Sequence, residues 1–143
     1  MSPLEAEIIK RKLSRIAENL KALEPIEDMT LDEYKGDLYK RKATEKLLQE
    51  LIEAAIDINI HMIVQTGNAG PDDYYESFMK AGELKIISSD LAEKLAPSAG
   101  LRNRLVHEYD RVEHSIVLKA VRMAQELYSI YIREISDYLS KNV

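Results

Sequence analysis

The sequence predicts an all-α fold, an antiparallel bundle of four to five helices in a single domain over residues 1–143. Three observations point there. Gly (5) and Pro (4) are scarce, so the chain is built from long uninterrupted elements. Apolar residues recur at spacings of four and three along most of the chain, the period of one helix face. No stretch alternates with period two over a useful length, so no sheet is expected.

The first helix is expected over residues 4–23. There Ile9, Leu13, Ile16, Leu20 and Leu23 are spaced four, three, four, three, and Pro25 closes it. Thr30-Leu31-Asp32-Glu33 has the form of a capping box, Thr at the cap and Glu three residues on. A long helix should follow, through Leu47, Leu51, Ala55, Ile58 and Met62, to a stop at Gly67-Asn68. Its second half, residues 47–64, is apolar on nearly every side and must be covered on nearly every side. What one copy leaves open suggests a dimer interface. Asp57 and Asn59, polar in this setting, call for hydrogen-bond partners on a neighbouring helix.

Gly70-Pro71-Asp72-Asp73 reads as a turn into a short helix over residues 74–80, which Gly82 breaks. Ser88-Ser89-Asp90 caps another short helix, ended by Pro97. Ser98 caps a segment carrying Leu101, Leu105 and Val106, and residues 110–113 read as a junction. The last helix is expected over residues 114–139. Its seam is Val117, Val121, Ala124, Tyr128, Tyr131, Ile135 and Tyr138.

The composition is that of a folded, soluble chain, 45% hydrophobic and 31% charged. With no Cys, disulfides and thiolate metal sites are excluded, which fits a reducing, cytoplasmic setting. Residues 1–12 mix charges with apolar residues, so neither a signal peptide nor a membrane span is expected. The net charge of −5 argues against a general nucleic-acid binder. A local basic cluster of Arg102, Arg104 and Arg111 nevertheless flanks His107. An acidic body with a confined basic site suits a selective nuclease or a protein that binds a basic partner, and composition does not separate the two.

Chemistry concentrates in "GLRNRLVHEYDRV", residues 100–112. A histidine exchanges protons near neutral pH, and an arginine offers phosphate a fixed charge on a planar donor fork. RNA carries its own nucleophile, the ribose 2′-OH. A base and a cation therefore suffice for cleavage, with no metal and no cofactor. On an ideal helix Asn103 and His107 share a face, so Asn103 could fix the His107 tautomer. Arg104 and Glu108 also share a face and could pair. Arg102 and Tyr109, seven apart, fall within about 20° of one stripe. Arg102 and His107, five apart, stand about 140° around the helix and do not converge. Either the helix ends near Val106, or a two-fold axis completes the site. A surface ion cluster of Arg102 and His107 with Glu108 and Asp110 would use the same residues without chemistry.

The pattern Arg102-x-x-x-x-His107-x-Tyr109 resembles the signature of the HepT family within the HEPN superfamily. The preceding "EKLLQELIEAAIDINIHMIV", residues 45–64, is similar to that family's second helix, so the resemblance spans essentially the whole chain. It implies a HEPN-like helical homodimer acting as a metal-independent ribonuclease toxin, with Arg102 and His107 lining a cleft between subunits. Asn103 and Arg104 would support that site. It also implies a nucleotidyltransferase antitoxin of the Mnt type, which transfers AMP from ATP onto the motif tyrosine, here Tyr109. The alternative is a non-catalytic helical dimer whose Arg-His cleft holds a nucleotide or a protein partner.

Overall fold

Polar side chains set where the helices begin, and the computed structural model, which describes residues 1–107 and 112–142, holds seven helices and no strand among the described residues. The all-α bundle expected from the spacing is observed, as a frame of three long helices with four short ones beside it.

α1 (Pro3–Glu27) opens on a capping box: the Glu5 N–H donates to Ser2 Oγ at 3.2 Å and the Ser2 N–H to Glu5 Oε2 at 2.9 Å. The stripe Ile9, Leu13, Ile16, Leu20, Leu23 is buried as expected. Pro25 does not close the helix; it lies inside the last turn. The helix continues because Ile26 is buried in the core and Arg122 takes up carbonyls beyond it. The Arg122 guanidinium donates to the carbonyls of Glu27 and Met29, each at 2.9 Å.

Two helices, α2 (Leu31–Lys35) and α3 (Leu38–Gln65), replace the single long helix expected after Thr30. The Thr30 capping box is formed, but its helix ends after one turn at Gly36. A second cap then starts α3: the Asp37 carboxylate accepts from the Lys40 N–H at 2.9 Å. α3 stops where expected, with Gly67 taking a left-handed φ of 87°.

α3 is the central helix, packed by α1 on one side and by the segments after it on the others. Leu48, Leu51, Ile52, Ala55, Ile58 and Met62 are all buried within the one chain. The apolar surface expected to need a second copy is thus largely covered by the chain's own helices. What stays open is mainly a polar ridge, Lys46, Glu50, Glu53 and Asp57, spaced four, three, four, together with the exposed Val64 near the helix end. Asn59 faces inward, as its polarity in an apolar helix required. Tyr131 Oη donates to Asn59 Oδ1 at 2.6 Å, and Asn59 Nδ2 reaches Ser77 Oγ at 3.5 Å. Ser77 Oγ in turn donates to the Tyr74 carbonyl at 2.7 Å. Asp57 instead faces solvent and pairs with Lys12 at 3.3 Å.

α4 (Tyr74–Glu83) is capped by Asp73, which accepts from the Glu76 N–H at 2.8 Å, and α5 (Ser89–Leu95) by Ser88. Gly82, expected as a breaker, lies within α4 and is buried. A Cβ there would stand 2.6 Å from the Ala92 Cβ, so glycine is what lets α4 and α5 touch. α6 (Pro97–His107) begins at Pro97, where a proline loses no helical hydrogen bond, and Ser98 lies inside its first turn instead of capping it. α7 (His114–Asn142) buries Val117, Val121, Ala124, Tyr128, Tyr131 and Ile135, the expected seam, with Leu139 completing it in place of Tyr138. No helix among the described residues is long and apolar enough to cross a membrane.

Candidate functional site

α6 is short and anchored by Ala99, Leu101 and Leu105, all buried. That anchoring fixes which way its polar residues point. Arg102 turns toward α3. Its Nε and Nη2 both donate to Glu53 Oε2, at 2.9 and 2.7 Å, and its Nη1 donates to Asn103 Oδ1 at 3.3 Å. The other Glu53 oxygen accepts from Gln49 Nε2 at 3.4 Å. The guanidinium carbon lies 5.1 Å from the centroid of the Tyr74 ring, a cation–π distance. The Arg102 side chain is 17% exposed and that of Glu53 34%, so the pair sits at the mouth of the protein surface. Beside it opens a pocket of about 280 Å³ lined by Glu53, Ile56, Asp57, Tyr74 and Arg102.

This arrangement holds a guanidinium in one orientation while part of it stays accessible. Glu53 Oε2 uses the Nε proton and one Nη2 proton, and Asn103 uses one on Nη1. Two of the five N–H donors, one on each Nη, stay free for an incoming phosphate oxygen.

His107 is the last residue of α6 and is exposed. α6 thus ends one residue after Val106, close to the expected end, yet it is helical through His107, so that ending does not bring Arg102 and His107 together. With regular helix between them, the two groups stand about 140° apart around the axis and do not meet within one chain. Asn103 is exposed and bonds to Arg102; no bond to His107 is made among the described residues, so the expected role in fixing its tautomer gains no contact. Arg104 is exposed on another face of α6, at the rim of an apolar groove of about 270 Å³ floored by Leu48, Ile52, Leu101, Met123 and Leu127. Tyr109, with Glu108, Asp110 and Arg111, lies outside the described residues. No group of three His, Cys, Asp or Glu side chains suited to a metal ion occurs among the described residues.

The sequence reading missed Glu53, Gln49 and Tyr74. Glu53 had a signal: Glu50, Glu53 and Asp57 recur at three and four inside an otherwise apolar helix, which marks one open polar face. Nothing local ties that face to Arg102, 49 residues away. Tyr74 had none, since its use depends on where α4 packs.

Three comparisons bear on this site. The family model described as HepT-like, "Ribonuclease HepT-like", matches residues 9–135. The chain is 38% identical over 139 residues to the tRNA nuclease HepT of Aphanizomenon flos-aquae, covering 97% of this chain and 95% of that one. It is 27% identical to the mRNA nuclease HepT of Shewanella oneidensis, covering 88% and 94%. Among solved structures, the tri-AMPylated Shewanella oneidensis HEPN toxin in complex with MNT antitoxin superposes with a TM-score of 0.82 at 26% identity, over 96% of this chain and 99% of that one.

Proposed function

The chain belongs to the HepT-like ribonuclease family, and from that premise we propose that it is a metal-independent endoribonuclease toxin, active as a homodimer and silenced by a nucleotidyltransferase antitoxin. One observation carries the reading. Arg102 is held by Glu53 as an oriented fork with donors to spare, while His107 stands exposed on another face of the same helix. Two groups splayed in this way serve one phosphate if a second copy supplies the missing member.

In this reading the ribose 2′-oxygen attacks the adjacent phosphorus. His107 exchanges a proton with the attacking or the departing oxygen, the bond from phosphorus to the 5′-oxygen breaks, and the free Arg102 donors stabilise the pentacoordinate centre. Glu53, Gln49 and Tyr74 hold Arg102 in place. Asn103 supports it through Arg102 Nη1, and Arg104 adds positive charge nearby. Tyr109 is the acceptor of AMP from ATP, with pyrophosphate as the leaving group. The added nucleotide would bring an anion beside Arg102 and His107 and occupy the place of the RNA phosphate. The names of the similar proteins, a tRNA nuclease, an mRNA nuclease and an AMPylated toxin in complex with an antitoxin, support two parts of this reading, RNA as substrate and control by an AMPylating antitoxin.

Incubating the purified protein with RNA in excess EDTA tests it. Cleavage is expected without added metal, and His107→Ala should abolish it. Mixing two inactive variants, Arg102→Ala and His107→Ala, should restore part of the activity if the site is pooled between copies. Cleavage that requires a divalent ion, or that survives His107→Ala, would overturn the mechanism. Incubation with the antitoxin and ATP should add the mass of AMP to the chain, and Tyr109→Phe should prevent it.

A further inference from the structure

The geometry points to a second RNA-binding element outside the Arg102–His107 motif: a basic groove between α1 and α3 that receives the phosphate backbone of the strand as it leaves Arg102. The groove has a volume of about 430 Å³ and carries four cations, Arg11, Lys12 and Arg15 from α1 and Lys46 from α3. In a chain of net charge −5, four cations in one groove are a local exception.

The groove also holds the ridge carboxylates of α3, and each is already engaged. Glu50 accepts from Asn19 Nδ2 at 3.3 Å, Glu53 holds Arg102, and Asp57 pairs with Lys12 at 3.3 Å. Arg11, Arg15 and Lys46 have no ion-pair partner among the described residues. Glu50 keeps its charge, because its partner is a neutral amide, so three unpaired cations face solvent against one unpaired carboxylate and the groove stays net positive.

Position says what they are for. The groove and the pocket beside Arg102 share Glu53 and Asp57 as common walls. A strand with one phosphate on Arg102 crosses the ridge and runs on over the α1 cations. Arg11 and Arg15 are one turn apart on α1, a spacing of about 6 Å that suits successive contacts along a backbone. A protein partner is the poorer fit. Protein interfaces centre on an apolar patch, and the apolar lining here is only Ile8 and Ala54. A sequence-independent polyanion needs only spaced cations.

The inference rests on the ribonuclease reading, and the experiment separates the two. The full-length chain carrying His107→Ala is titrated with a labelled single-stranded RNA octamer, with and without Arg11→Gln, Arg15→Gln and Lys46→Gln together. The groove variant should bind about tenfold more weakly at low salt. Its slope of log affinity against log salt should be shallower by about 2, the effect of three lost phosphate contacts. A control with the same charge change outside the groove, Lys21→Gln, Lys35→Gln and Lys141→Gln, should bind as the parent does. Circular dichroism should find both variants folded.

An unchanged affinity and slope in the groove variant, while the unmutated protein still cleaves RNA in EDTA, overturns the groove and leaves the nuclease reading standing. An equal loss in the control shows a net-charge effect and overturns it too. A groove variant that keeps RNA but loses a purified nucleotidyltransferase partner makes the face a protein interface, which also overturns it. A parent that neither binds nor cleaves RNA removes both readings together.

Discussion

Two polar networks hang from α3, six residues apart, and they are built to opposite ends. One joins Tyr131, Asn59 and Ser77 inside the core; Tyr131, Asn59 and Ser77 are all inaccessible to solvent. The other joins Gln49, Glu53, Arg102 and Asn103 at the surface, with donors left over on the guanidinium. The first is closed, so disturbing it costs stability. The second is open, so its surplus donors are available to a ligand. Tyr74 connects them: its carbonyl accepts the last hydrogen bond of the inner network, and its ring lies against Arg102. The two networks thus meet at one residue of α4 through different atoms, its backbone inside and its ring at the surface.

The contrast can be broken at either end. The largest effect is expected at the open network. Arg102→Ala should lower RNA cleavage by about 10²–10³-fold, the usual loss when a preorganised donor to a developing charge is removed. Arg102→Lys should recover little, because an ammonium cannot hold Glu53 and phosphate with one planar fork. Glu53→Gln should come next. It keeps the size, removes the anion that orients Arg102, and should cut kcat by about tenfold. Because the pair is at the surface, the variant should unfold within about 1 kcal/mol of the parent in a urea titration. A Glu53→Gln protein with full activity would reduce the pair to a surface salt bridge.

At the closed network the signs reverse. Tyr131→Phe leaves Asn59 Oδ1 buried without its donor and should cost about 1–3 kcal/mol of stability by urea unfolding, with kcat unchanged at temperatures where the variant is folded. The smallest effect is a pH dependence. Burial pushes the Tyr34 phenol up to about 12, and burial likewise raises Tyr131. A phenol whose folded pKa lies above its unfolded value contributes fully below pH 10. That contribution is lost as pH rises from 10 toward 12. The Tm should therefore fall across that window, and less steeply in Tyr34→Phe.

Much of this architecture was legible in the sequence, for a physical reason. Helix faces are written locally, and Ile9 to Leu23 or Val117 to Ile135 declare which side is buried without reference to any other segment. What failed was punctuation that depends on neighbours. Pro25 signals a stop locally, yet Arg122, nearly a hundred residues on, takes up the carbonyls that follow it. The Thr30 cap was real but started the wrong helix, because Asp37 offers a second cap seven residues later. Gly82 signals a break locally, whereas in the packed structure its role is clearance. At the candidate site the Arg102–His107 pairing was visible as a pattern, and helix geometry warned that the two would not meet. The acidic partner of Arg102 was not visible, since a contact across 49 residues leaves no periodic trace.

The bare α-carbon at Gly82 has a consequence for how the molecule tolerates change. With the Ala92 methyl only 2.6 Å from where a side chain would begin, the corner between α4 and α5 has no slack. One added methyl would act as a wedge, tilting α4 about that corner. Its far end carries Tyr74, so a lesion at the opposite end of α4 from Arg102 would be felt as a misaligned guanidinium.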